Sequence, residues 1–123
     1  MDDEPLVRKF VGRLLANLGY EVTLANNGKE VVELYREALK LGRPHDAVIM
    51  DLIIPEGVGG AAAIQTLRQV DPDVIAIASS GYLDQPVMQD PKAHGFDAAI
   101  AKPYNRERLN LVLSEALQSA QDV

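Results

Sequence analysis

The 123-residue sequence contains no cysteine and only two histidines, His45 and His94. Without cysteine there is no disulfide framework, no thiol nucleophile and no thiolate metal site. Two isolated histidines are too few for a multi-histidine centre, and each reads as a surface or capping residue. No apolar run approaches the ~20 residues that a membrane helix needs. Met1 is followed by Asp2, Asp3 and Glu4, the wrong charge for a signal peptide. Positive charge is also short: 12 Lys and Arg against 18 Asp and Glu give a net charge of −6. Phosphates would repel such a domain, which argues against a stand-alone nucleic-acid binder. The default reading is a soluble cytoplasmic domain with neither a membrane nor a nucleic-acid partner. What remains is ordinary globular composition, 47% hydrophobic and 24% charged, in one domain spanning residues 1–123.

Periodicity alternates along the chain. Leu6, Val7, Phe10, Val11, Leu14, Leu15 and Leu18 recur at helical spacing, with Pro5 suited to the first turn and Gly19 to the stop. Glu21–Ala25 reads as a strand. Asn27, with Glu30 three residues on, resembles a capping box for a second helix whose apolar face includes Val31, Val32, Leu34 and Tyr35. Asp46–Met50 and Val74–Ala78 are apolar runs of the kind found in strands buried on both faces. A third helix is expected over Ala61–Val70 and a weak one, broken by Pro86 and Pro91, over 84–94. A short strand over Asp97–Ala101 and a last helix from about Asn105 to Ala120 complete the chain. This alternation predicts an α/β fold, a doubly wound parallel sheet with helices on both faces.

Ligands of such sheets bind beyond the carboxyl ends of the strands. Asp51, Ser79 and Lys102 each follow a predicted strand, and the Asp2-Asp3-Glu4 triplet precedes the first helix. Carboxylates brought together repel unless a cation joins them. Oxygen donors without His or Cys favour Mg²⁺. A carboxylate beside such a cation can accept a phosphoryl group, with charge neutralisation supplied by the cation and a lysine.

Four segments in order, Asp2-Asp3-Glu4, Asp51 in VIMDLIIPEGVGG, Ser79 in IASSGY, and Lys102-Pro103, resemble the receiver domain of two-component response regulators over nearly the whole chain. The wording is similar to receivers attached to hybrid sensor histidine kinases. The resemblance implies a flavodoxin-like sheet of strand order 2-1-3-4-5. It implies Asp51 as phospho-acceptor, and Asp2, Asp3, Asp51 and the Ile53 backbone carbonyl as Mg²⁺ ligands. Ser79 is then the switch hydroxyl, with Ser80 its rival, and Lys102 the paired lysine, with a cis bond to Pro103. The implied function is a phosphorelay receiver that catalyses only its own phosphorylation and dephosphorylation. Its partners would be a histidine kinase or phosphotransfer protein and a downstream protein target; homodimerisation is permitted but not required. With no output domain expected after the last helix, output would run through protein contact.

Two departures stand out. The position three residues before the lysine, aromatic in the family, is Ala99, which leaves Phe96 or Tyr104 as substitutes. The apolar first strand that precedes the acidic pair in the family is truncated or missing, since only Met1 stands there. Three arrangements are open: a start fixed by the choice of gene start, a strand donated by a neighbouring chain, or a sheet that closes differently and leaves Asp2 and Asp3 frayed. The alternatives in function are a degenerate receiver acting as a phosphate-independent interaction module, and a Mg²⁺-dependent phosphatase with an Asp nucleophile. The latter uses a second Asp two residues on as general acid, where this chain has Ile53.

Overall fold

The computed structural model describes residues 1–55 and 57–121; Glu56 of the expected glycine-rich loop lies outside them. The described elements run α1 (Pro5–Asn17), α2 (Gly28–Lys40), β1 (Val48–Asp51), α3 (Gly60–Val70), β2 (Ala76–Ser80), α4 (Pro86–Gln89), a 3₁₀ turn (Lys92–His94), β3 (Ala98–Ala101) and α5 (Arg106–Gln121). The three strands form one parallel sheet in the order β1-β2-β3, with Asp51 beside Ser79 and Ser79 beside Ile100.

Local sequence explains most boundaries. Pro5 opens α1, and Gly19 beyond its end adopts φ 95°, a left-handed conformation that only glycine takes without cost. The Asn27 side chain accepts from the Glu30 N–H at 3.0 Å and starts α2. The return half of the expected capping box is redirected, because the Glu30 carboxylate accepts from the side-chain amide of Asn26 instead. The weak helix over 84–94 is two pieces, α4 and the 3₁₀ turn, divided at Pro91. Gly59 lies so close to the Leu52 carbonyl that a Cβ would collide with backbone, which fixes where α3 begins beneath the end of β1.

Alternate strand residues feed two cores. Met50, Ala76 and Ala78 pack with Val31, Tyr35, Ile64 and Phe96 on the α2–α3 face. Ile77 and Ile100 pack with Leu109, Val112 and Leu113 of α5 on the other, where Val11 and Leu15 of α1 join them. This period of two on a sheet covered on both sides is why the strands read as continuous apolar runs. Arg68, at the end of α3, ties the strand beginnings together. It donates to the carbonyls of Val74 at 2.6 Å and Gly95 at 2.8 Å and pairs with Asp97 at 3.1 Å. Asp97 in turn accepts from the Ala76 N–H at 2.8 Å.

One expected strand does not form. Residues 20–25 join no ladder, because no strand lies beside them among the described residues. In its place Met1 and Asp2 make three strand-like bonds. The Met1 ammonium donates to the Ile49 carbonyl at 2.6 Å, the Asp51 N–H donates to the Met1 carbonyl at 3.1 Å, and the Asp2 N–H donates to the Ala25 carbonyl at 3.2 Å. The acidic pair is therefore anchored at Asp2, which is buried, and the arrangement in which both residues fray is not the one adopted. The strands also sit further along than the sequence suggests, so that Asp51 and Ser79 are strand residues rather than the first loop residues.

Candidate functional site

Five polar groups meet at the carboxyl end of the sheet. Asp51 ends β1, Ser79 lies next to it on β2, and Lys102 follows β3. Asp2 is brought alongside by the bonds of Met1. The Lys102 ammonium donates to Asp2 at 2.6 Å and to Asp51 at 3.1 Å. Its own N–H donates to the Ser80 carbonyl at 2.9 Å, and the following peptide bond to Pro103 is cis. Asp3 is exposed, yet one carboxylate oxygen each from Asp2, Asp3 and Asp51 lie within 4.8 Å of one another. The Ile53 N–H approaches the Asp51 carboxylate at 3.4 Å, while its side chain is about half exposed.

Charge at the site is unevenly shared. Burial pushes the Asp51 carboxyl up, and the Lys102 bond does not fully offset it. Burial acts on Asp2 in the same sense, but the bonds from Lys102 and from the Glu4 N–H outweigh it and hold that carboxyl below its usual value. Lys102 is raised, since its two carboxylate partners overcome its own burial. Burial draws the Met1 ammonium down to about 6, against the pull of Asp2 and Asp51. One lysine thus stands among three clustered carboxylates, and Asp51 carries the deficit of positive charge.

The two serines have different roles. The Ser80 hydroxyl donates to Gln85 at 2.8 Å and accepts from the Tyr82 N–H at 3.0 Å, so it is committed to the turn after β2. The Ser79 hydroxyl is buried and has no hydrogen-bond partner among the described residues. Tyr104 lies beside Ser79, whose hydroxyl works to lower its phenol, but burial outweighs it and raises that phenol. Of the two aromatic substitutes, Phe96 is packed in the opposite core, and Tyr104 is the one beside Ser79. The role of Met1 in holding Asp2 was not legible from sequence, because a lone methionine carries no strand signal.

A protein-family description, the response regulator receiver domain, matches residues 1–114. The chain is 29% identical over 118 residues to the chemotaxis protein CheY of Bacillus subtilis, covering 95% of this chain and 93% of that protein. It is 30% identical over 118 residues to the sensor kinase CckA of Brucella abortus, covering 96% of this chain but 12% of the kinase. It likewise spans only 30% of a cyclic di-GMP phosphodiesterase of Thermotoga maritima, at 26% identity over 97% of this chain. Among solved structures, the receiver domain of the sensor histidine kinase PA1611 from Pseudomonas aeruginosa, with a magnesium ion coordinated in its active-site cleft, superposes with a TM-score of 0.82. That match has 25% identity and covers 96% of this chain and 93% of the other. Fold, site geometry and family match agree, and the chain belongs to the response regulator receiver domains of two-component signalling.

Proposed function

We propose that Asp51 is the phospho-acceptor of this receiver and takes its phosphoryl group from a phosphohistidine on a histidine kinase or phosphotransfer protein. The observation that carries this reading is the Lys102 ammonium held between Asp2 and Asp51 at 2.6 and 3.1 Å. A carboxylate oxygen of Asp51 would attack phosphorus as the phosphorus–nitrogen bond breaks, and the departing imidazole would keep the electron pair and take up a proton. The acyl phosphate gains two charged oxygens, and Lys102 is placed to pair with one of them.

The residues present fit Mg²⁺. All donors are oxygens, three carboxylates cluster, and Asp51 lacks sufficient positive charge of its own. Asp2, Asp3, Asp51 and the Ile53 carbonyl would hold the ion, which supplies charge neutralisation for the incoming phosphoryl group. Ser79 is the hydroxyl free to turn toward that group, since Ser80 is already bonded. Tyr104, adjacent to Ser79, would sense the turn and pass it to α5. The readout is a protein surface recognised by a downstream target.

The test is intact mass after incubation with Mg²⁺ and acetyl phosphate. One added phosphoryl group in the parent and none in Asp51→Asn is expected. No adduct in either would overturn the reading and favour a phosphate-independent interaction module, for which the unpaired 20–25 segment and Ala99 are the supporting features.

A further inference from the structure

Asp2 and Asp3 are neighbours in sequence, yet the chain holds them very differently. Asp2 is buried and bonded at every polar group. Its N–H donates to the Ala25 carbonyl at 3.2 Å. One carboxylate oxygen accepts from the Glu4 N–H at 3.0 Å and the other from Lys102 at 2.6 Å. Its carbonyl accepts from the Arg8 guanidinium at 2.8 Å. Asp3 is exposed and makes no hydrogen bond of its own among the described residues. Even so, its carboxylate lies in the cluster with those of Asp2 and Asp51.

The placement of Asp3 is therefore inherited from its neighbour. The carbonyl of Asp2 belongs to the peptide unit that joins the two residues. That unit is planar, so anchoring its oxygen sets where the Asp3 Cα stands and the direction in which its side chain leaves. Arg8 makes the one hydrogen bond to that unit among the described residues. It can do so because α1 begins at once. Pro5 opens the helix, and the Arg8 N–H closes the first turn on the Glu4 carbonyl at 3.0 Å. Long side chains on a helix lean toward its N-terminus, which carries the guanidinium back to residue 2. Arg8 forms no ion pair with a carboxylate among the described residues, so its side chain serves backbone rather than charge.

We propose that Arg8 is a positioning residue for the Mg²⁺ site and acts through Asp3: by fixing the Asp2–Asp3 peptide, it holds the Asp3 carboxylate in the cluster. This rests on the reading of Asp2, Asp3 and Asp51 as Mg²⁺ ligands. Mg²⁺ demands near-octahedral geometry and tolerates little displacement of a ligand. Groups that orient metal ligands typically contribute about 10–100-fold in metal affinity. The sign separates this role from a role in charge. Removing a cation beside a cation site favours the ion, whereas releasing a ligand weakens it.

Mg²⁺ is titrated into the unphosphorylated full chain, well below its melting temperature, and the amide shifts of Asp51 and Ile53 give the Kd. Arg8→Met keeps the stem and removes the donors; its Kd should rise about tenfold or more. Arg8→Lys, which keeps the charge and a single donor, should fall between the two, and carries the same test with a smaller cost to folding. Asp3→Ala should weaken binding as well. The double variant Arg8→Met/Asp3→Ala should bind no more weakly than Asp3→Ala alone, since Arg8 then has no ligand to orient. Losses that add in the double variant would overturn the proposal. So would an Arg8→Met chain that melts lower but binds Mg²⁺ as the parent does, or more tightly. A parent that binds no Mg²⁺ would overturn the metal reading and this inference with it, whereas a parent that binds and an Arg8→Met chain that matches it would overturn this inference alone. None of these readouts depends on phosphorylation of Asp51.

Discussion

Lys102 lies nearer to Asp2, at 2.6 Å, than to Asp51, at 3.1 Å. The lysine therefore acts as the resident cation of the carboxylate cluster, and its shorter bond is to the proposed metal ligand rather than to the proposed phospho-acceptor. Any divalent ion that joins Asp2, Asp3 and Asp51 competes with that bond and loosens Lys102 for an incoming phosphoryl oxygen.

Lys102→Met keeps the packing of the side-chain stem and removes the charge. Two mostly buried carboxylates then face each other without a counter-ion. The variant should lose about 2 kcal/mol without added metal. It should also gain more melting temperature than the parent from millimolar Mg²⁺. Melting curves of both proteins across a Mg²⁺ series decide it, and equal metal dependence would show that Lys102 does not neutralise the cluster.

The serines separate stability from switching. Ser80→Ala removes a hydroxyl that both donates and accepts in the turn after β2, and should cost about 1 kcal/mol in urea unfolding. Ser79→Ala removes a buried hydroxyl with no partner and should leave stability unchanged within about 0.5 kcal/mol, or raise it. The same Ser79→Ala protein should still accept phosphate on Asp51 but show a smaller change in Tyr104 fluorescence or NMR shifts on phosphorylation. A reversed order of stabilities would mean that Ser79 has a native hydrogen bond.

Tyr35 is almost fully buried and donates to Asp71 at 2.6 Å. Burial, reinforced by the carboxylates of Asp71 and Asp73, raises its phenol well above the ordinary value. A folded-state pKa above the unfolded one, ~10, means the contribution is fully present below pH 10 and is lost as pH rises toward the folded value. Tyr35→Phe should therefore be about 1 kcal/mol less stable at neutral pH, with the difference shrinking above about pH 10. Urea midpoints of both proteins between pH 7 and 11 test this; a constant gap across that range would contradict it.

The parts of the fold that follow from local chemistry were readable in the sequence. Asn27, Pro5 and Gly19 mark helix ends whatever the tertiary context, and the Asp46–Met50 and Val74–Ala78 runs betray a sheet covered on both faces. Strand ends were displaced because hydrogen bonding, not hydrophobicity, sets them: polar Asp51, Ser79 and Ser80 pair as well as their apolar neighbours. Glu21–Ala25 has strand propensity but lacks its neighbour, and propensity alone does not make a ladder. At the site, the carboxylates and Lys102 were legible as polar residues around the predicted strand ends and Ser79 from the family resemblance, whereas the Gln85 bond that commits its rival Ser80 to the turn was not.

Ile53 bears on how long a phosphoryl group would last. Its backbone N–H approaches the Asp51 carboxylate at 3.4 Å, and the residue is about half exposed, two positions after the proposed acceptor. Isoleucine neither donates to nor accepts from water. Gly81 adds no side chain after Ser79, and the space where its Cβ would stand is empty to 4 Å. Water reaching phosphorus is therefore left without a side chain to orient it at either position, and the acyl phosphate should persist. Ile53→Asn or Ile53→Glu supplies a group that can hold that water, and should speed phosphate release by about tenfold, the scale of one positioned polar group. The chain is phosphorylated with acetyl phosphate and Mg²⁺, freed of donor, and followed by intact mass. Parent and variants losing the added mass at one rate would show that access of water, not its orientation, limits hydrolysis.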